Sequence, residues 1–166
     1  MTGGERTADG TTTMASRSAA RLAAVQALYQ IDMASASAED VIDEFHHFRL
    51  REKLDGSERL AADSDLFDMI VRGTQLRRDE LDVLIGASLA PGWSIERLET
   101  VLRATLRAGA FELITDAVVP AAVVITEYVD VTHAFFAGKE PGFVNGVLDK
   151  IARSLRPGEL QEKARG

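Results

Sequence analysis

Arg17 and Arg21 stand one helical turn apart in SRSAARLAAVQALYQIDMA, Ser16 to Ala34, a stretch rich in helix formers. Both guanidiniums can therefore point the same way, and a helix start adds free N–H groups and positive partial charge. The chemistry open to them is anion binding, phosphate above all; the plain alternative is a solvated surface pair. A second basic group, Lys150, Arg153 and Arg156, lies towards the other end. Metal and nucleophile chemistry finds less support. His46 and His47 are adjacent, hence about 100° apart on a helix, and cannot easily hold one ion between them. Glu127, Asp130 and His133 have the types of ligands, but positions 127 and 133 fall about 240° apart round a helix, so a solvated polar face is the simpler reading. With no cysteine in the chain, disulfides, thiolate metal sites and a cysteine nucleophile are excluded. No metal, cofactor or catalytic residue is expected.

The elements that must position these side chains fit within 166 residues, of which 46% are apolar, enough for one domain or two small subdomains sharing a core. No apolar run approaches the ~20 residues of a membrane span, and the N-terminus lacks the basic-then-apolar order of a signal peptide; a soluble, cytoplasmic protein is expected. The net charge of −7 argues against non-specific nucleic-acid binding. Its distribution narrows that exclusion, because Glu39 to Asp68 alone carries −6 and leaves only −1 for the rest. Basic patches therefore remain available at the two places named.

Along the chain, Met1 to Ala15 is Gly- and Thr-rich without apolar period and reads as a disordered tail. The first helix follows, with Leu22, Val25, Leu28, Tyr29 and Ile31 as its face. Ala38 to Lys53 reads as a second, anchored by Val41, Ile42, Phe45, Phe48 and Leu50. Asp55 to Ala62 is a loop containing Gly56. A third helix runs from about Asp63 or Ser64 to Leu89, with Leu66, Ile70, Leu76, Leu81, Leu84 and Ile85 inward and an irregularity at Gly73; its Arg77-Arg78 pair is a solubility feature. Ser94 to Thr115, SIERLETVLRATLRAGAFELIT, holds helical spacing longest, and past Leu106 it is apolar nearly all round, interrupted mainly by Arg107 and Glu112. Such a helix belongs inside a bundle, with Gly109 where another helix comes close. Ser94 is its expected N-cap, after the Pro91-Gly92 turn.

Val119-Pro120 starts a further helix, with Val123, Val124, Tyr128, Val131 and Phe135 able to pack; VVPAAVVI could pass for a strand, but apolar positions continue to Phe136 without turn residues. GKEPG, Gly138 to Gly142, is a turn. Gly142 to Leu155 forms the last helix, with Val144, Val147, Leu148, Ile151 and Leu155 as its stripe and Pro157-Gly158 as its stop.

Two stretches resemble the NusB family of transcription antitermination factors. ARLAAVQALYQ (Ala20 to Gln30) is similar to the family's first helix, and PGFVNGVLDKIARSLRP (Pro141 to Pro157) to its last. RATLRAGAFEL (Arg103 to Leu113) and VPAAVVITEYVD (Val119 to Asp130) fall between them in the family's order, with FVNGVLDK the most specific piece. The resemblance covers Ser16 to Pro157. It implies an all-α fold, a compact bundle of about six to seven helices in two small three-helix subdomains, about 16–90 and 94–157, flanked by tails at 1–15 and 158–166. It also implies a factor that pairs with NusE, a small-subunit ribosomal protein, and binds boxA of nascent ribosomal RNA so that RNA polymerase avoids premature termination.

By match to the family motifs, Arg17 and Arg21 would engage phosphates, and Gln26 or Tyr29 and then Phe143 and Asn145 would stand nearer the bases; Lys150, which with Arg153 flanks the apolar face of the last helix, is counted with them as RNA-binding. Unpaired bases stack on aromatic rings while basic groups hold the backbone, so the residue types suit the task. Read without the resemblance, Tyr29 and Phe143 are core aromatics, Gln26 is merely exposed and Asn145 satisfies buried backbone. Arg103 and Glu112, on the central helix, are candidates for the NusE surface. The chain departs from the family pattern in its sparser N-terminal arginines, in Thr126-Glu127-Tyr128 where members often show Asn-Glu-Ala, and at His133 where they often show Lys.

Two other readings stand beside this one. Ribosomal RNA cytosine methyltransferases carry a NusB-like N-terminal domain, but this chain ends after that domain, and it lacks a glycine-rich cofactor loop and any cysteine for attack on a base. The second is a helical interaction or homodimerisation module without RNA binding, in which Arg17, Arg21 and Phe143 could be exchanged freely.

Overall fold

The computed structural model describes the backbone of residues 3–54, 57–60, 62–115 and 118–160, and the side chains of 14–50, 62–115 and 118–160. Its contacts divide the chain into two compact units, Met1–Val71 and Arg72–Gly166.

The first unit is built on α1 (Gly3–Ala34), which buries Ala20, Ala23, Ala24, Val25, Ala27, Leu28 and Ile31. The helix begins at Gly3 rather than Ser16, inside the stretch expected to be a tail. No proline interrupts those residues, and extending an existing helix costs far less than nucleating one. Ser35, at φ 49°, ends it, and Ser37 caps α2 (Ala38–Glu44) by accepting from the Asp40 N–H at 3.1 Å.

The second helix is shorter than its periodicity suggests. A π-helical turn, Phe45–Arg49, follows α2, closed by the Leu50 N–H donating to the Phe45 carbonyl at 2.9 Å. Val41, Ile42, Phe45 and Leu50 are buried as expected, but Phe48 is 75% exposed. The wider π turn rotates it off the apolar line that an α-helical spacing assigns it. Phe45 instead stacks on Phe67, ring centroids 5.4 Å apart. The region expected as helix end and loop forms an antiparallel hairpin, β1 (Arg51–Leu54) and β2 (Ser57–Leu60), with Arg51 opposite Leu60 and Leu54 opposite Ser57; Gly56 lies outside the described residues. Asp63 caps the start of α3 (Ser64–Leu76) through the Leu66 N–H at 3.1 Å.

The expected long third helix is two, α3 and α4 (Arg78–Ser88), and the break falls at Arg77 (φ −104°, ψ 19°) rather than Gly73. Arg77 donates from Nε and Nη2 to Glu80 at 2.9 and 2.8 Å, which draws the Glu80 carboxyl below and the Arg77 guanidinium above their ordinary ranges, against a smaller opposing desolvation. Leu81 and Ile85 are buried, whereas Leu76 is left outside; it lies six residues past Ile70, about 240° round the helix and off the inward stripe.

In the second unit α5 (Thr100–Thr115) packs against α4, α6 (Ala121–Phe135) and α7 (Glu140–Leu155), and α6 and α7 pack on each other. Every residue from Ala104 to Leu113 is buried, the enclosure that its apolar circumference demands. Ser94 does not cap it. Ser94 opens a 3₁₀ turn, Ile95–Arg97, and the helix start is held by Glu99, whose Oε2 accepts from the Val101 and Leu102 N–H groups at 3.0 and 3.2 Å. A methyl group on Gly109 would come within 2.8 Å of Leu148 and 3.3 Å of Tyr128, so α7 and α6 do approach closely there. On α6 Val124, Tyr128 and Val131 are buried but Val123 and Phe135 are partly exposed, and on α7 Leu155 is too; all three sit at or near helix ends, where the covering neighbours run out.

Gly73 faces the Phe111 ring, and a Cβ there would overlap it. Gly73→Ala gains about 1 kcal/mol of helix propensity but overpacks a buried ring, so a net loss of about 1–2 kcal/mol is expected in urea unfolding. Combining it with Phe111→Leu should lessen that penalty; additive losses would disprove the overlap.

Candidate nucleic-acid interface

On α1 the sequence assigns one turn of spacing to Arg17 and Arg21, and the structure treats them differently. Arg17 remains partly exposed, with Nη1 3.9 Å from the Asp63 carboxylate. Arg21 is only 2% exposed. Its register explains this: Ala24, Val25 and Leu28, all buried, follow it by three, four and seven residues and place it on the core stripe. As a phosphate ligand Arg21 is therefore corrected to a buried residue. Gln26 is half-buried, and Tyr29, expected on the packed face, is 37% exposed. Gln26, Tyr29 and Met33 recur at helical spacing and form an outward line with both hydrogen-bonding and aromatic character.

In the second unit Phe143 and Lys150 are seven residues apart on α7, on one line of its surface. Phe143 is half-buried and Lys150 exposed, with no ion-pair partner among the described residues. Asn145 is exposed, so it is not satisfying buried backbone, and at two residues from Phe143 it lies about 160° round the helix from that ring. The basic group divides by role. Arg153 Nε donates to Asp149 at 2.7 Å. Arg156 donates to the Val119 carbonyl at 2.8 Å and the Leu113 carbonyl at 3.0 Å, fastening the chain beyond α7 to the end of α5. Lys150 is left as the cation able to meet a phosphate.

The two partner candidates also separate. Arg103 is half-buried, whereas Glu112 is 1% exposed and accepts a 2.5 Å hydrogen bond from the Tyr128 hydroxyl. Glu112 cannot meet a partner from there, and its place among the contact residues is corrected. It is a polar residue on a helix that is enclosed on every side. Among the described residues no group of three or more His, Asp or Glu could hold a metal, and His46 Nε2 lies instead 2.6 Å from Asp68 Oδ1. No described helix is long and apolar enough to cross a membrane.

Sequence reasoning passed over Trp93, the one tryptophan. It is 57% exposed, and its ring centroid lies 6.2 Å from that of Phe143. Its position directly after Pro91-Gly92, outside any apolar period, was the available signal.

The sequence model of the NusB family matches residues 18–153. The chain belongs to the NusB family. It is 50% identical over 141 residues to the transcription antitermination protein NusB of Sphingopyxis alaskensis, covering 85% of this chain and 95% of that one. The corresponding protein of Rhizobium rhizogenes is 48% identical over 84% of this chain and 88% of its own. Among solved structures, T. maritima NusB matches with TM-score 0.70 and 29% identity, over 88% of this chain and 96% of that chain. A structure of antitermination factors NusB and NusE in complex with double-stranded RNA matches with TM-score 0.69 and 26% identity, over 82% and 96%. The NusB likeness thus spans α1 to α7, and the all-α bundle expected from the family motifs is the fold found.

Within this NusB-family chain the Glu112–Tyr128 bond is a structural element. Tyr128→Phe withdraws a donor from a buried carboxylate and should cost about 1–3 kcal/mol, read as a lower urea midpoint. An unchanged midpoint would show that Glu112 reaches water.

Proposed function

We propose that this chain is an RNA-binding antitermination factor that pairs with NusE, binds boxA of nascent ribosomal RNA and acts in the polymerase's antitermination complex in the cytoplasm. The observation that carries the reading is family membership over residues 18–153 together with a NusB–NusE–RNA assembly among the similar structures. The surface of α7 supports it chemically. Phe143 offers a ring to an unpaired base, Asn145 offers both a donor and an acceptor to a base edge, and Lys150 offers a charge to the backbone. On α1, Arg17 serves a phosphate and Gln26 and Tyr29 a nucleotide. Arg103 is the residue assigned to NusE. No catalytic step is assigned to any side chain.

The electrostatic part of this binding is modest. In a chain of net charge −7, Arg153 is paired with Asp149 and Arg156 with backbone carbonyls, so of the basic group on and after α7 Lys150 is the one to exchange for a counterion. Stacking and the NusE partner must then supply much of the affinity, so salt sensitivity should be shallow.

The test is a titration of boxA RNA and a scrambled RNA of equal length, with and without NusE, at several salt concentrations. Preference for boxA, tightened by NusE, is expected; equal or absent binding of both RNAs with NusE present would refute the assignment. Phe143→Ala should weaken binding by about 1–3 kcal/mol. Lys150→Ala should lower the salt slope by about 0.7, without a matching loss of boxA preference.

A further inference from the structure

Resting on that RNA-binding reading, we propose that Trp93 is a second base-stacking side chain of the α7 site, taking an unpaired nucleobase beside the one that Phe143 receives. Three observations carry it. The first is exposure: Trp93 leaves 57% of its surface open to solvent, although indole is among the costliest side chains to leave in water.

The second is positioning. Trp93 ends a tight turn in which its N–H donates to the Ala90 carbonyl at 3.1 Å, Pro91 holds the second place and Gly92 the third at φ +88°. That is type II turn chemistry, in which only glycine takes the left-handed place without strain. Arg97 Nη1 reaches back to the Gly92 carbonyl at 3.4 Å, and Ile95 and Leu98 bury the segment that follows. The turn is therefore braced on both sides of the indole. Little backbone entropy remains to be lost when a ligand arrives.

The third is the neighbourhood. The Trp93 and Phe143 rings are inclined by 40° with centroids 6.2 Å apart, so they touch without covering each other's faces. Gly142 and Gly146, on either side of Phe143, are exposed, and a methyl group on either would meet nothing within 4 Å. Exposed Lys150 follows Phe143 by seven residues along α7, and exposed Arg97 follows Trp93 by four residues in the 3₁₀ turn. Aromatic rings together with nearby cations are the combination that tracks single-stranded nucleic acid, in which each base offers a π-face and each linkage a charge.

Trp93 is the chain's one tryptophan, so its fluorescence reports this position alone. The full-length protein is titrated with single-stranded boxA RNA carrying a remote fluorescent label, and binding is read by anisotropy and by tryptophan emission in parallel. The expected result is quenching that follows the anisotropy curve. Trp93→Ala should bind about 5- to 150-fold more weakly, while Trp93→Phe recovers most of the affinity. Anisotropy binding with unchanged tryptophan emission, or a Trp93→Ala affinity within about twofold of the parent, overturns the Trp93 assignment and leaves the RNA-binding reading standing. No binding by the unsubstituted protein, alone or with NusE, overturns both.

Discussion

The second unit depends on a helix that is buried through its full circumference from Ala104 to Leu113 and yet carries two ionisable groups within that stretch. α5 encloses Arg107 and Glu112 among Leu106, Phe111 and Leu113, where an unpaired charge would be strongly destabilising. Arg107 answers with a two-pronged pair to Asp82 on α4, Nε and Nη2 donating at 2.7 and 2.9 Å. Glu112 takes the Tyr128 hydroxyl from α6. Each polar bond ties the central helix to a different neighbour and admits only one rotational setting of it. Because the aliphatic part of α5 could slide or rotate against other aliphatic surface at small cost, these bonds specify the packing that the apolar contacts merely favour.

That packing in turn fixes what α7 shows to solvent. Val144, Val147, Leu148 and Ile151 face inward, Leu148 seated against Gly109, which leaves Phe143 and Lys150 on one flank of that stripe and Asn145 on the other. Arg156 completes the arrangement by donating to carbonyls at the end of α5. Arg107 and Arg156 thus fasten separate elements together, and Arg153 pairs with Asp149 along its own helix. A surface that combines few unengaged cations with exposed aromatic rings recognises flexible single strands better than it attracts duplex backbone at long range.

The first unit shows the other use of local geometry. One π turn after α2 decides that Phe45 packs on Phe67 while Phe48, three residues on, meets solvent. The break at Arg77, in the second unit, is similar, because a guanidinium–carboxylate bond to Glu80 holds the start of α4 where no proline or glycine stands. Neither irregularity has a composition that announces it.

By itself the sequence determined the helical class, the spans of α6 and α7 and the end of α5 to within about two residues, and the family, since periodicity of 3.6 and ordered motifs such as FVNGVLDK are properties of the chain alone. It also determined that α5 had to be surrounded, because no amphipathic alternative exists for a helix apolar on all sides. Only the tertiary structure decided which polar residues were available to a ligand. Arg21 and Glu112 look like surface groups by type and become buried because the apolar register of their helices carries them under the elements packed there. Trp93 looks like a stray loop aromatic until packing sets it beside Phe143, fifty residues away along the chain. A residue's type states what it could bind, but burial and company are set by the elements that fold against it.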